Sequence, residues 1–321
     1  MAPKLHTTYG HRAHARAVGV ETHVVIASEG TSMFGLTKKE PISEHEASGE
    51  IERVYHEIER TMRVTGVNLN FRTWAAYGEF LVVIWDAFRP VLETRAFEEA
   101  ADSLRARAAQ SAERLGPLGA RGDVHLGESQ TYQLRAALDL YHYINPKLLL
   151  LTSMVSQLLD GEEVGRDVSA ADDRISLGPP EKMYPMEMET EDAEDESLQN
   201  LYQDIKNTLS LASINSDYRT LALWPSYLSA AWQRLKPQVR SPEYQQLTDR
   251  LRESSRSAAS NFPYRVVLSR RDIKDRTDDL DKVVEVTHSF ERLLPGLIIN
   301  IALMESDWRQ GTELTSSPFP V

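Results

Sequence analysis

One stretch of this chain occurs twice. Residues 51–90, IERVYHEIERTMRVTGVNLNFRTWAAYGEFLVVIWDAFRP, align without a gap to residues 198–237, LQNLYQDIKNTLSLASINSDYRTLALWPSYLSAAWQRLKP. Tyr55 falls on Tyr202, Ile58 on Ile205, Thr61 on Thr208 and Asn68 on Asn215. Arg72-Thr73 fall on Arg219-Thr220, Trp85 on Trp232 and Pro90 on Pro237. A repeat of this length implies one supersecondary unit used twice and packed against itself with pseudo-two-fold symmetry. The symmetry breaks inside VNLNFRT and INSDYRT, where Asn70 stands against Asp217.

The apolar period is helical. Ile51, Val54, Tyr55, Ile58 and Met62 share one face. The pattern predicts helices over 51–62, 69–87 (stopped by Pro90), 93–115 and 131–144. Asn145-Pro146 reads as a helix junction, an N-cap followed by the first helical position. Residues 146–159, PKLLLLTSMVSQLL, then form a central helix. The second copy predicts helices over 198–212, 217–234, 242–260 and 277–307. Few segments alternate with period two. The expected fold is therefore all-α, two pseudo-symmetric helical repeats joined by a long acidic linker. The expected divisions are an extension over 1–40, repeats over 41–159 and 198–308, a linker over 160–197 and a tail over 309–321. Glu181 to Ser197 carries eight acidic residues and one lysine, which reads as a solvated connector.

A net charge of −12 argues against a nucleic-acid surface. The absence of cysteine excludes disulfides, thiol nucleophiles and thiolate metal sites. No apolar run reaches membrane length and the first residues lack a signal-peptide core, so a soluble cytoplasmic protein without membrane contact is expected. His6, His11, His14 and His23 read as a surface extension rather than a metal tract. His142 and His288 read as helix-packing residues, and Asp172-Asp173 as solvated linker. No glycine-rich phosphate loop, metal-ligand cluster or serine-nucleophile motif is present.

Two readings of Asn215-Ser216-Asp217 stand side by side. On the motif alone it is a helix start, a capping side chain followed by an acid in the first turn. The other reading takes Asn68–Asn70, Asn145 and Asn215–Asp217 together. Equivalent helix starts of a duplicated bundle converge on a shared cleft, where one ionised Asp takes a proton from water and one Asn holds that water or the substrate. This is a minimal, metal-free site for hydrolysis of a small anionic molecule.

The chain resembles the group I 2-haloacid dehalogenases of the DehI type. The matching stretches are Ser48-Gly49-Glu50, Thr61-Met62-Arg63-Val64 and Tyr143-Ile144-Asn145-Pro146-Lys147 with the leucines that follow. Ser216-Asp217, Leu221 to Pro225, and Ser317 to Val321 also match. Together they span nearly everything from about residue 40 onward. The resemblance implies an all-helical homodimer of two repeats that replaces the halogen at C2 of a 2-haloalkanoate by hydroxyl, with inversion and no cofactor. It implies Asp217 as the base that activates water, Asn145 as its support and Ser216 as a contact for the substrate carboxylate. The family's pocket aromatics depart here. A Trp falls on Gly66, a Phe on Leu69, a Tyr on Leu148 and another Tyr on Thr287, while Asn68 and Asn70 bring in polar groups. These positions are expected to line the pocket and to favour a larger or more polar substrate. Two alternatives stay open: altered chemistry (hydrolysis, elimination or cyclisation) on a larger metabolite, and a non-catalytic binding protein on the same scaffold.

Overall fold

The computed structural model describes residues 39–166 and 173–321. The His6–His23 tract, Asp172 and most of the 1–40 extension lie outside them. The first half forms α1 (Glu50–Met62), α2 (Leu69–Ala75), α3 (Phe80–Leu92), α4 (Arg95–Leu115) and α5 (Glu128–Leu159), with a 3-10 turn at Ala120–Asp123. The second forms α6 (Glu196–Leu209), α7 (Ser216–Leu221), α8 (Pro225–Val239), α9 (Pro242–Ser260), α10 (Arg270–Asp275), α11 (Leu280–Glu305) and α12 (Thr312–Thr315). Among the described residues there is no strand, and Thr94 and Arg174 form an isolated bridge; the protein is all-α.

The core follows from α5 and α11, which pack along each other, with α4 and α9 laid against them. Residues 140–159 of α5 are all buried, as expected of a helix apolar nearly all round. No helix among the described residues is long and apolar enough to cross a membrane.

The structure corrects several expectations, beginning with helix boundaries. The single helix over 69–87 is two, α2 and α3. The chain turns at Gly78, whose φ of +63° suits glycine and whose missing Cβ leaves room for Asp278. The helix expected over 217–234 divides likewise, and Pro225 restarts it at the first position of α8. Pro90 lies inside the last turn of α3 rather than beyond it.

The Asn145-Pro146 junction does not exist, because α5 runs straight through it. Proline cannot donate to the carbonyl four residues back. The fully buried Arg105 of α4 supplies the missing donor: its Nε donates to the His142 carbonyl at 2.8 Å and its Nη2 to the Tyr143 carbonyl at 3.2 Å. Asn145 therefore projects from the middle of a helix and caps nothing.

The 160–197 segment is not a free connector. Ile175 and Met183 are buried. Thr65 donates to the Tyr184 carbonyl at 3.0 Å, and the Arg95 amide donates to the Asp173 carbonyl. Its last residues repeat bonds made ahead of α1. The Ile42 amide donates to the Arg72 carbonyl at 3.0 Å, and the Glu189 amide to the Arg219 carbonyl at 3.0 Å. Glu44 accepts from the Val67 amide at 2.7 Å and Glu191 from the Ile214 amide at 3.3 Å. Each pair keeps the spacing of the aligned sequences but lies upstream of Ile51 and Leu198. Further along, Arg63 and Ser210 end α1 and α6 with φ of 58° and 55°. Trp85 Nε1 donates to Glu57 at 2.9 Å, and Trp232 Nε1 to Asp204 at 2.8 Å.

Candidate active site

Three elements meet at the site. The starts of α2 and α7 are set by the extended residues Asn68 and Asn215, neither of which makes a side-chain cap bond. The carbonyls of both residues begin their helices instead, accepting from the Arg72 and Arg219 amides. The caps are thus left with their amide side chains free for other use. The middle of α5 supplies Asn145 and Leu148. Between these elements and α11 lies a cavity of about 40 Å³. A water needs roughly 10–15 Å³ on this measure, so the space admits a few.

Asp217 and Asn145 meet in its wall. Asn145 Nδ2 donates to Asp217 Oδ1 at 2.6 Å, with both residues buried. Burial pushes the Asp217 carboxyl up to about 6, against the opposing pull of the Asn145 amide and the residue's own backbone N–H. Among the described residues no cationic side chain lines the cavity, so none of them neutralises the carboxylate. A carboxyl held near 6 is ionised at neutral pH yet basic enough to accept a proton, which suits a general base.

Asp217 is also held from behind. Asn300 of α11 donates to the Tyr218 hydroxyl at 2.9 Å and accepts from the Tyr244 hydroxyl at 2.6 Å. Tyr141 of α5 and Thr220 pair through their hydroxyls at 2.7 Å. These bonds tie α7 to α11 and to α5.

Of the residues expected at the site, the structure brings Asp217, Asn145, Ser216, Leu69, Asn70 and Leu148 to the cavity wall. Gly66 and Thr287 do not line it. Gly66 lies under the linker, where an added Cβ would sit 3.1 Å from the Met186 Cβ; Met186 fills the space a larger residue would take. Thr287 is fully buried and accepts a bond from Trp74 Nε1 at 3.1 Å, which turns it into the α2–α11 contact. The histidines stay outside the wall too. His142 is buried against the Leu314 carbonyl and pushed down to about 3, so it is neutral, and His288 pairs with Asp160. Sequence reasoning missed the opposite wall, Phe290, Leu293, Leu294 and Leu297 of α11. Their spacing of three, four and seven residues was the available signal. Among the described residues no group of three or more histidine or acidic side chains is placed to hold a metal ion.

Comparison with known proteins identifies the family. The family described as halocarboxylic acid dehydrogenase DehI matches residues 65–218. An (R)-2-haloacid dehalogenase of Pseudomonas putida is 31% identical over 273 residues, covering 81% of this chain and 90% of that protein. The chain belongs to the DehI-type 2-haloacid dehalogenase family. A configuration-inverting 2-haloacid dehalogenase of Pseudomonas sp. (strain 113) is 28% identical over 87% of this chain and 94% of its own. A solved D-2-haloacid dehalogenase in complex with L-LA superposes with a TM-score of 0.77 at 29% identity, covering 84% of this chain and 96% of that one. The match to DehI-type enzymes therefore extends over most of the described fold.

Proposed function

We propose that this protein hydrolyses the carbon–halogen bond of a 2-haloalkanoic acid, giving the 2-hydroxy acid with inverted configuration and needing no cofactor. Asp217 takes a proton from a cavity water. The water oxygen bonds to C2 as the C2–halogen bond breaks, and the halide leaves with the bonding pair. Attack opposite the leaving group inverts C2. Asn145 keeps Asp217 aimed by its 2.6 Å bond and offers its own Oδ1 to the water. Ser216, beside Asp217 on the wall, binds the substrate carboxylate. The apolar face of Leu148, Phe290 and Leu294 surrounds the halogen and the alkyl chain. Positioning supplies much of the acceleration, because nucleophile and carbon are held within reach before the reaction starts.

The observation that carries this reading is the buried Asp217–Asn145 pair at the edge of a cavity that admits a few waters and that no cationic side chain among the described residues lines. It counts against a mere binding protein on this scaffold, for which Asp217 would face bulk solvent or the cleft would have collapsed. The deciding experiment is halide release from a panel of 2-haloacids, with chiral analysis of the product. A single turnover in ¹⁸O-water then separates direct attack from an ester on Asp217: direct attack labels the product in the first turnover. Absence of halide release, or full activity in Asp217→Asn, defeats the proposal. A homodimer in the cytoplasm belongs to the same proposal, and light scattering of the purified protein tests its oligomeric part.

A further inference from the structure

Asn70 is 3% exposed and lines the cavity that holds Asp217. Among the described residues neither its Nδ2 nor its Oδ1 has a hydrogen-bond partner. The Oδ1 atoms of Asn68 and Asn215, on the same wall, are buried and unpartnered as well. An unpaired buried polar group is costly, and native proteins leave few of them. Several orphans converging on one cavity are therefore a ligand-shaped deficit. The facing residues of α11 cannot fill it, since Phe290, Leu293, Leu294 and Leu297 are apolar.

A 2-haloacid with a plain alkyl chain does not fill it either. Its carboxylate only accepts hydrogen bonds, and so does the departing halide. Neither offers a donor to the amide oxygens. The one water the reaction consumes is held by Asp217 and Asn145, so pairing both ends of the Asn70 carboxamide in the substrate-filled cavity takes a substrate group that donates and accepts at once.

We infer that Asn70 is a specificity-determining residue that selects 2-haloacids bearing a hydroxyl on C3 or C4, its Oδ1 accepting from that hydroxyl and its Nδ2 donating to it or to the neighbouring carboxylate. Asn68 and Asn215 supply further acceptors along the same wall. The inference rests on the dehalogenase reading for the identity of the substrate class. The preference itself resides in the pocket and is measurable without turnover. A site built around a hydrogen-bonding substrate discriminates against the analogue that lacks the group, because its own polar atoms are then left unpaired.

The test uses the unreactive 2-hydroxy acid products as probes. Calorimetric titration compares 2,3-dihydroxypropionate with lactate, and 2,4-dihydroxybutyrate with 2-hydroxybutyrate. At least one dihydroxy acid is expected to bind about tenfold or more tightly than its plain partner. Asn70→Leu should bring that ratio close to one, and Asn70→Ser, which keeps a hydroxyl, should retain part of it. Equal affinities within both pairs, or no saturation by any probe, overturn the inference, and so does a ratio unchanged in Asn70→Leu. If Asn70→Leu does not fold, as judged by its melting curve, the wild-type ratios and Asn70→Ser decide. Halide release from 2-chloropropionate reports separately on the reaction, so a dehalogenase without the binding preference is distinguishable from a selective pocket that does not dehalogenate.

Discussion

Two short segments, Val67–Thr73 and Ile214–Thr220, share a frame and differ in what they carry. In both, an upstream glutamate accepts the amide ahead of the helix, an Asn starts the helix without capping it through its side chain, and an upstream amide closes onto the Arg carbonyl. An aromatic residue, Phe71 or Tyr218, then meets a tryptophan edge-on at 6.1 and 6.3 Å. What differs is the second helical residue and its partner. Asp217 receives the Asn145 amide from α5, whereas Asn70 is left without a partner among the described residues. One frame can therefore hold a bonded, buried carboxylate on one side and an unpartnered amide on the other. The chemistry comes from single side chains and from what the central helices offer them.

The strongest way to break the comparison is to move the carboxylate. Asp217→Asn should lower kcat/KM for halide release by about 10³-fold, in the range of a lost general base. Adding Asn70→Asp to that variant should not restore it, since among the described residues no Asn145 equivalent reaches Asn70. Restored activity would show that the carboxylate alone distinguishes the two sides.

The same carboxylate leaves a mark on stability. A free Asp titrates near 4 and burial pushes Asp217 up to about 6, so the folded protein holds this proton more tightly than the unfolded chain. Its contribution is most favourable below about pH 4, falls as pH rises to about 6 and is flat above. The span is roughly 3 kcal/mol at most. Denaturant titrations of wild type and Asp217→Asn at pH 4, 5 and 7 should show the variant gaining on the wild type as pH rises. Asn70→Asp should show a fall of the same sign, because it too would bury a carboxyl without a cation.

Asn145→Ala should cost about 10²-fold in kcat/KM. It should also move the acid limb of the pH–rate profile upward from about 6, because the Asn145 bond is the chief influence holding that carboxyl down. An unmoved limb would mean that Asn145 serves the water or the substrate rather than Asp217.

How much of this was legible depends on whether the cause was local. Helix faces were readable because periodicity is written along the chain, and α9 begins and ends where its pattern does, at Pro242 and Ser260. The Asn145-Pro146 junction was misread because its remedy, Arg105, lies on another helix forty residues earlier. Gly66 was misread for the same reason: its neighbour Met186 comes from a segment whose acidic composition suggested solvent. The resemblance assigns Leu69 and Leu148 to the pocket and both stand in the cavity wall, but the α11 face is not legible because apolar spacing does not distinguish a core from a cavity wall. Asn70 against Asp217 was visible in the alignment; that Asn70 would lack a partner was not, since it depends on which residues α11 turns toward it.

The smallest expected effect tests the shared frame rather than the difference. Trp85→Phe and Trp232→Phe each remove one indole N–H bond, to Glu57 and to Asp204. Neither acceptor is left bare. Glu57 keeps Arg53 at 3.0 Å and Arg89 at 2.9 Å, and Asp204 keeps Lys236 at 2.7 Å. Each substitution should therefore cost about 2 kcal/mol, one hydrogen bond plus the small cavity left by the lost ring, rather than the larger penalty of an orphaned charge. The two sites share no partner, so the double variant should lose about the sum in denaturant melts. A much larger loss at Trp85 than at Trp232 would show that the halves carry unequal loads even where their bonds are the same. Equal losses with kcat/KM unchanged would confine the asymmetry to Asn70, Asp217 and the side chains that α5 and α11 present to them.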